Sequence, residues 1–333
     1  MAILIVTHSK DNDAPHAVRR ALEARGERVY RFDSDLFPTR LQLSLDEAGA
    51  GRLSGPDGEM VLSEISSIWY RRNATGAGIP KDLDEQLRKP SVEESRRLVF
   101  GMMTALGVFQ LDALDVVRRA EHKPLQLKLA RALGMEVPRT LMTNDPEAVR
   151  AFAASCPDGV VTKMMSSFAV YDEQGREQVV FTTPLESREL EDLEGLDLCP
   201  MTFQERLTKQ VELRVTVVGE RVMAAAIDSQ ALPNAREDWR REGAALIDAW
   251  KPYTLPEGLQ ARIVRLMDAL GLNYGAFDFI VTPEGRHVFL EVNPAGEFMW
   301  LMRNPGLPID EALADVLSGR AVRRSGPRPL PSP

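Results

Sequence analysis

The sequence predicts a mixed architecture, with an open α/β unit at the amino terminus, two α+β units after it and a short tail. Three observations carry this reading. The chain opens with an apolar run, a helix-like stretch and a second apolar run (residues 2–7, 15–26 and 29–32), the order of a βαβ unit. Further on, short β-branched runs alternate with helical stretches that close on glycine. Residues 275–293, Gly-Ala-Phe-Asp-Phe-Ile-Val-Thr-Pro-Glu-Gly-Arg-His-Val-Phe-Leu-Glu-Val-Asn, read as two strands joined by a tight turn at Pro283-Glu284-Gly285-Arg286.

Taken in order, residues 2–7 predict a buried strand, 15–26 a helix and 29–32 a second strand. Residues 41–45 and 51–62 predict a small meander around Gly55-Pro56-Asp57-Gly58, and 65–70 a strand that runs into Arg71-Arg72-Asn73. Helices are expected at 91–106 and 116–133, the second closed by Gly134. A domain boundary is placed at residue 115, so that 1–115 form the first unit, 116–200 a small lobe, 201–318 a larger lobe and 319–333 a tail. In the small lobe, Asn144 or Asp145 can cap a helix with Pro146 at its first position. A strand at 160–164, a hairpin at 168–183 turning at Glu173-Gln174-Gly175 and an acidic helix at 187–193 follow. Strands at 201–205, 211–218 and 222–227, a helix at 257–270 stopped by Gly271, and the hairpin described above build the larger lobe. The tail carries several arginines and four prolines in its last seven residues, and is expected to be disordered.

With 333 residues, 44% hydrophobic and 27% charged, the chain can bury a substantial core. A net charge of −8 argues against nucleic acid or a membrane surface as the partner. The first residues lack a basic region and a cleavage site, so they read as a strand and not as a signal peptide. No stretch approaches the roughly 20 apolar residues that span a bilayer. The two cysteines, Cys156 and Cys199, have no metal-ligand spacing and fit a reducing cytoplasm.

The chemistry concentrates on the carboxyl-terminal hairpin. With Glu284 and Gly285 as the loop, Asp278 lies opposite Glu291, and Asn293 shares its face because side chains repeat every two residues. Facing carboxylates repel across a ladder, and here their neighbours are Phe277, Phe279, Ile280, Phe289, Leu290 and Val292. A divalent cation resolves the conflict, and two carboxylates with an amide suit Mg²⁺ shared with substrate phosphates. Neither GxxxxGK[ST] nor GxGxxG occurs, so phosphates must meet side-chain cations. Lys163 ends an apolar strand, an expensive position unless it faces an anion. Lys123 sits on a helix, where a solvated lysine is common. Glu212 and Arg214 share one face of an apolar strand, either as a structural ion pair or as groups that touch a ligand.

In this order, Lys123, Lys163, the strand-to-loop Gln204-Glu205-Arg206-Leu207, Glu212-Leu-Arg214 and Asp278-(twelve residues)-Glu291-Val-Asn293 resemble the ATP-grasp superfamily over residues 115–305. The resemblance implies ATP held between two lobes. Lys123 and Lys163 would contact phosphates, Gln204 to Leu207 would form the hinge reading adenine, Glu212 would bind the ribose, and Asp278, Glu291 and Asn293 would hold Mg²⁺. Such ligases activate a carboxylate as an acyl-phosphate and release ADP. Arg214 is placed to neutralise the transferring phosphoryl group. One departure is the loop after Lys163, Met-Met-Ser-Ser-Phe, which lacks the glycines many members use to cover phosphates.

The whole chain, including Val-Thr-His near its start, Ile68-Trp-Tyr-Arg-Arg72 and Asn293-Pro-Ala-Gly-Glu-Phe-Met-Trp300, looks like the graspetide (microviridin-type) peptide maturases. That resemblance implies an amino-terminal pre-ATP-grasp domain, a ribosomal precursor peptide as partner, and ω-ester or ω-amide rings joining Asp or Glu to Thr, Ser or Lys. It implies leader recognition by the small-lobe hairpin and following helix, where Phe168, Val170, Tyr171, Val180, Glu191 and Asp192 are candidate contacts. Arg71 and Arg72 are candidates for an acidic core peptide or a neighbouring subunit, since the family often forms homodimers. A ligase for small molecules or protein tails shares the same metal and ATP residues. A scaffold that has lost catalysis is a third reading, and the presence of Arg214 with all three metal ligands weighs against it.

Overall fold

The computed structural model describes residues 1–165, 169–171, 177–179, 181–231, 238–242 and 247–330, with side chains described for all of these except 169–171, 177–179 and 242. The amino-terminal sheet contains β1 (Ala2–Thr7), β2 (Arg28–Asp33), β6 (Ile65–Tyr70) and β7 (Phe109–Leu111), in the order β2-β1-β6-β7 and all parallel. All six residues of β1 are buried, as expected of a strand covered on both faces. Helix α1 (Ala14–Glu23) packs on it, and Gly26 turns the chain at a φ of 81°. Strands β3 (Gln42–Leu45), β4 (Gly51–Gly55) and β5 (Gly58–Val61) form the expected meander. The strand order reverses between β1 and β6, the place where open α/β sheets leave a crevice at the carboxyl ends of their strands.

Two helices differ from expectation. Helix α2 (Glu85–Ala105) starts six residues before the expected 91, because Asp84 caps it by accepting from the Gln86 amide, and Pro90 is accommodated inside it. The helix expected at 116–133 is two, α3 (Leu114–Ala120) and α4 (Lys123–Ala132). Pro124 supplies no N–H, so the chain breaks at Glu121-His122 and restarts with Lys123 as the first residue of α4.

In the small lobe, β8 (Thr140–Thr143), α5 (Pro146–Ala154), β9 (Val160–Lys163), β12 (Thr183–Pro184), α6 (Ser187–Glu191) and β13 (Met201–Glu205) surround Val149, Cys156, Val160, Leu196 and Phe203. Their sheet runs β12-β9-β13-β8, and Asp145 caps α5 by accepting from Glu147 N. Between β9 and β12, β10 (Ala169–Tyr171) pairs antiparallel with β11 (Glu177–Val179). The expected turn at 173–175, and Phe168 and Val180, lie outside the described residues, as do the side chains of Val170 and Tyr171.

The large lobe is a five-stranded antiparallel sheet of β14 (Val211–Val218), β15 (Arg221–Ile227), β16 (Lys251–Tyr253), β17 (Tyr274–Val281) and β18 (His287–Asn293), ordered β16-β15-β14-β17-β18. Helix α7 (Glu257–Leu270) covers it, and Phe277, Phe279 and Phe289 pack with ring centroids 5.6–6.4 Å apart. Two helices unassigned from sequence follow, α8 (Met299–Arg303) and α9 (Ile309–Leu317). Helix α9 shares a core cluster with Ala14, Val18, Ala21 and Leu22 of α1 and so ties the large lobe to the amino-terminal sheet.

Residues 319–330 are not the loose tail their composition suggested. Arg324 is 4% exposed and its Nε contacts Asp268 at 2.6 Å, while its Nη1 donates to the Gly219 carbonyl at 2.7 Å. Its backbone N–H and carbonyl pair with the Asn273 side chain, and Asn273 and Tyr274 in turn donate to buried Asp112. Burial pushes the Asp112 carboxyl up to about 6 even with these donors. An arginine that sequence composition reads as solvent-loving is thus the partner of buried polar groups. Among the described residues, no helix is long and apolar enough to cross a membrane.

Candidate active site

Arg214, Asp278 and Glu291 form one row across three neighbouring strands, because Arg214 on β14 pairs with Asp278 on β17, which pairs with Glu291 on β18. The register is reached differently from expectation. Thr282 N donates to the Arg286 carbonyl, so three residues form the loop, with Gly285 at a φ of 81°. The hairpin therefore starts one residue out of step, with Phe279 opposite Phe289, and a bulge at Leu290 restores Asp278 to Glu291. The bulge also explains why Leu290 and Glu291 both line the cleft while Phe289 stays in the core.

A cleft of about 970 Å³ lies between the two carboxyl-terminal lobes. The structure brings Lys123, Lys163, Gln204, Glu205, Arg206, Leu207, Glu212, Arg214, Asp278, Glu291 and Asn293 to its walls. Lys123 Nζ is 2.8 Å from Glu291, and Arg214 Nε is 3.2 Å from Asp278. Each carboxylate of the facing pair is thus met by a cation from another element. Gln204, 4% exposed, donates to Thr140 Oγ1 at 2.9 Å, and Glu205 receives the Arg139 amide at 2.9 Å. These bonds hold the strand-to-loop turn rigid at one end of the cleft. Glu212 meets Lys209 at 3.2 Å, a cation that sequence reading passed over.

Burial raises the Asp278 carboxyl, and Arg214 only partly offsets it while Glu291 adds to it. Burial acts the same way on Glu291, but Lys123 and Lys163 outweigh it and hold that carboxyl below its ordinary range. Lys163 is pushed down by burial, opposed by the charge of Glu291. Burial also raises Glu212 despite Lys209 and Ser229. The donor set fits the ion that the sequence implied, since two facing carboxylates and the Asn293 amide are all oxygen ligands in a charge-balanced pocket. Among the described residues no group of three or more His, Cys, Asp or Glu is placed to hold a metal ion.

Arg71 and Arg72 are not in this cleft. Arg71 is 5% exposed, contacts Glu297 at 2.5 Å and stacks 5.1 Å from the Phe298 ring, while Arg72 reaches the same carboxylate at 2.7 Å. Both also face Asp11, so they join the amino-terminal sheet to the loop that follows Asn293. Arg71, buried against Glu297 and Asp11, is at odds with the expected peptide contact, and only Arg72 keeps an exposed edge. Burial would raise the Glu297 carboxyl, but Arg71, the Met299 amide and Asn12 draw it down to about 2. That shift from 4.5 corresponds to about 3 kcal/mol, reduced to about 2 kcal/mol by screening at its accessible edge. A depressed carboxyl stabilises the fold above its unfolded value and loses that contribution as pH falls through the folded one. Glu297→Gln is therefore expected to lower unfolding free energy by about 2 kcal/mol at pH 7, with the gap shrinking toward pH 2. Denaturant titrations at pH 7 and pH 3 would check this, and an equal gap at both would refute it.

Glu191 ends α6, and its carbonyl and that of Leu190 meet Arg150. Asp192 borders a second cavity of about 270 Å³ beside Leu185, Leu193, Met201 and Phe203, with Glu189 and Glu194 on its rim. Sequence reading also missed Asp238, Trp239 and Arg240, which line the main cleft from a segment with no periodic pattern. Arg240 clasps Asp238 at 2.5 Å, and that bond raises the guanidinium further above its ordinary value.

The amino-terminal part of the chain, residues 2–118, matches the family model described as the MvdD pre-ATP grasp domain. No match was found among curated proteins. Among solved structures, the macrocyclase MdnC of Microcystis aeruginosa MRC, bound with precursor peptide MdnA, is 44% identical, with 96% of this chain and 100% of that one covered and a TM-score of 0.87. A RiPP-associated ATP-grasp ligase of Chryseobacterium gregarium, in complex with ADP and a leader and core peptide, is 38% identical over 99% and 100% of the two chains, with a TM-score of 0.92. The ATP-grasp ligase PsnB, complexed with minimal precursor, Mg and ADP, is 26% identical over 96% and 97%, with a TM-score of 0.72. The mixed α/β fold, the pre-ATP-grasp domain and the full-length identity agree, and the chain belongs to the graspetide (microviridin-type) family of ATP-grasp peptide maturases.

Proposed function

We propose that this protein is an ATP-dependent macrocyclase that phosphorylates Asp or Glu side chains of a ribosomally made precursor and joins them to Thr, Ser or Lys side chains, releasing ADP and phosphate. The observation that carries the reading is the Arg214–Asp278–Glu291 row, set in one cleft with both lysines and the Gln204–Leu207 turn. Lys123 and Lys163 hold the nucleotide phosphates, Glu205 to Leu207 hold adenine and Glu212 holds the ribose. Asp278, Glu291 and Asn293 would hold Mg²⁺, which when bound would supply charge neutralisation on the phosphates. Arg214 faces the transferring phosphoryl group and then the oxyanion formed when the acceptor attacks, where a preorganised cation contributes most. Positioning and electrostatics, with Arg214 central, bring the acceptor hydroxyl to the acyl carbon.

Leader recognition is assigned to the second cavity and α6, since an apolar floor with an acidic rim suits a segment that carries apolar side chains and a basic residue. A cytoplasmic site of action is supported by ATP as co-substrate and by the free state of Cys156 and Cys199. The test is the intact mass of an acidic, Thr-rich precursor after incubation with enzyme, ATP and Mg²⁺. Loss of one water per ring is the expected result. A gain of amino-acid mass, with the peptide unringed, would favour the tail-ligase reading.

A further inference from the structure

An acyl-phosphate in this cleft can pass to a peptide hydroxyl or amine or be lost to water, and an ester forms only where water is kept away. The wall behind Arg214 is built to do this. Trp239, Trp250 and Trp300 pack together, with ring centroids 5.1 Å apart for Trp239–Trp250, 5.8 Å for Trp239–Trp300 and 6.2 Å for Trp250–Trp300. The Arg214 guanidinium lies over the Trp300 ring at 5.4 Å, and Trp239 reaches the cleft beside it. The indole N–H groups of Trp250 and Trp300 are buried with no hydrogen-bond partner among the described residues. A phenylalanine or leucine would fill a core without leaving an unmet donor, so core packing alone does not call for three indoles. Their breadth closes one face of Arg214 to solvent and turns its charge toward the cleft.

We propose that this tryptophan cluster is the water-excluding wall of the transfer site, and that Trp239 determines the preference for a peptide hydroxyl over water. The inference rests on the macrocyclase reading and adds the basis of its acceptor selectivity. In the productive step the hydroxyl oxygen bonds to the acyl carbon, the bond from that carbon to the phosphate oxygen breaks, and the hydroxyl proton leaves with phosphate. In the competing step the oxygen of water takes the same place, and the original carboxylate is regenerated with ATP consumed.

The experiment counts ADP released per ring formed, for the wild type, Trp239→Leu and Trp239→Phe, on the same acidic, Thr-rich precursor in ¹⁸O-labelled water. The wild type should release one ADP per ring. In Trp239→Leu the ratio should rise several-fold, with ¹⁸O appearing in unringed Asp and Glu side chains, and Trp239→Phe should recover most of the coupling. A slower Trp239→Leu enzyme with an unchanged ratio and no label would overturn the proposal, because a merely structural tryptophan changes rate and not partition. If Trp239→Leu fails to fold, Trp239→Met is read in its place, and a wild-type ratio without label there would also overturn the proposal. A wild type that makes no rings would sink the macrocyclase reading itself, a result distinct from either.

Discussion

Replacing Arg214 with alanine is expected to slow ring formation by about 10³-fold while ATP still binds. The guanidinium sits on the central strand of the large sheet, is 8% exposed, and rests on Trp300 on one side and Asp278 on the other. Its position is thus fixed before any substrate arrives, which is the condition under which a cation lowers a barrier without reorganising. The phosphate contacts proposed for Lys123 and Lys163 would remain in the variant, so nucleotide affinity should change far less than turnover. Arg214→Lys keeps the charge but loses the planar stack on Trp300, and should recover only part of the rate. Single-turnover ring formation, measured beside ADP binding by calorimetry, separates the two effects. Full turnover in Arg214→Ala would remove Arg214 from the chemistry.

The second large effect concerns Asp278, where activity and stability are expected to move apart. Asp278→Asn removes a charge from the proposed metal site and should raise the Mg²⁺ requirement for ATP turnover by about 10- to 100-fold. The same change relieves the repulsion between Asp278 and Glu291. The Asp278 carboxyl is raised even with Arg214 beside it, so its charged form is a net burden on the folded state. A raised carboxyl withdraws stability as pH climbs from its unfolded value through the folded one, and an amide is exempt from that loss. Without Mg²⁺ at neutral pH, Asp278→Asn should therefore melt at or above the wild-type temperature. A lower melting temperature together with an unchanged Mg²⁺ requirement would mean that Asp278 is a structural acid.

The site was readable where its logic is local. Alternation on a strand put Asp278, Glu291 and Asn293 on one face, and the bulge at Leu290 preserved that face although the loop is a residue longer than expected. Lys163 and Arg214 stood out because a charge at the end or in the middle of an apolar run needs a reason. What escaped notice depends on partners far along the chain. Short strands such as β7, β8 and β16 hold too few residues for a period to show, and they exist because neighbouring strands offer them hydrogen bonds. Arg71 meets a carboxylate 226 residues away, and no local pattern signals Glu297. Trp239 and Arg240 come from a stretch without periodicity, yet the fold delivers them beside Arg214.

Asp112, Asn273 and Arg324 also carry a consequence for how the enzyme is made. Translation delivers the amino end first, so domains generally begin to fold in that order. The Asp112 carboxylate leaves the ribosome long before Asn273, and Asn273 before Arg324, whose backbone completes the Asn273 amide and whose side chain closes over Gly219 and Asp268. Until residue 324 has emerged, the buried Asn273 amide lacks its last partners, although Asp112 and β14 already hold the first residues of the strand that carries Asp278. Nascent chains can form the amino-terminal sheet early, but the Asn273 side chain is fully satisfied only after residue 324 has emerged.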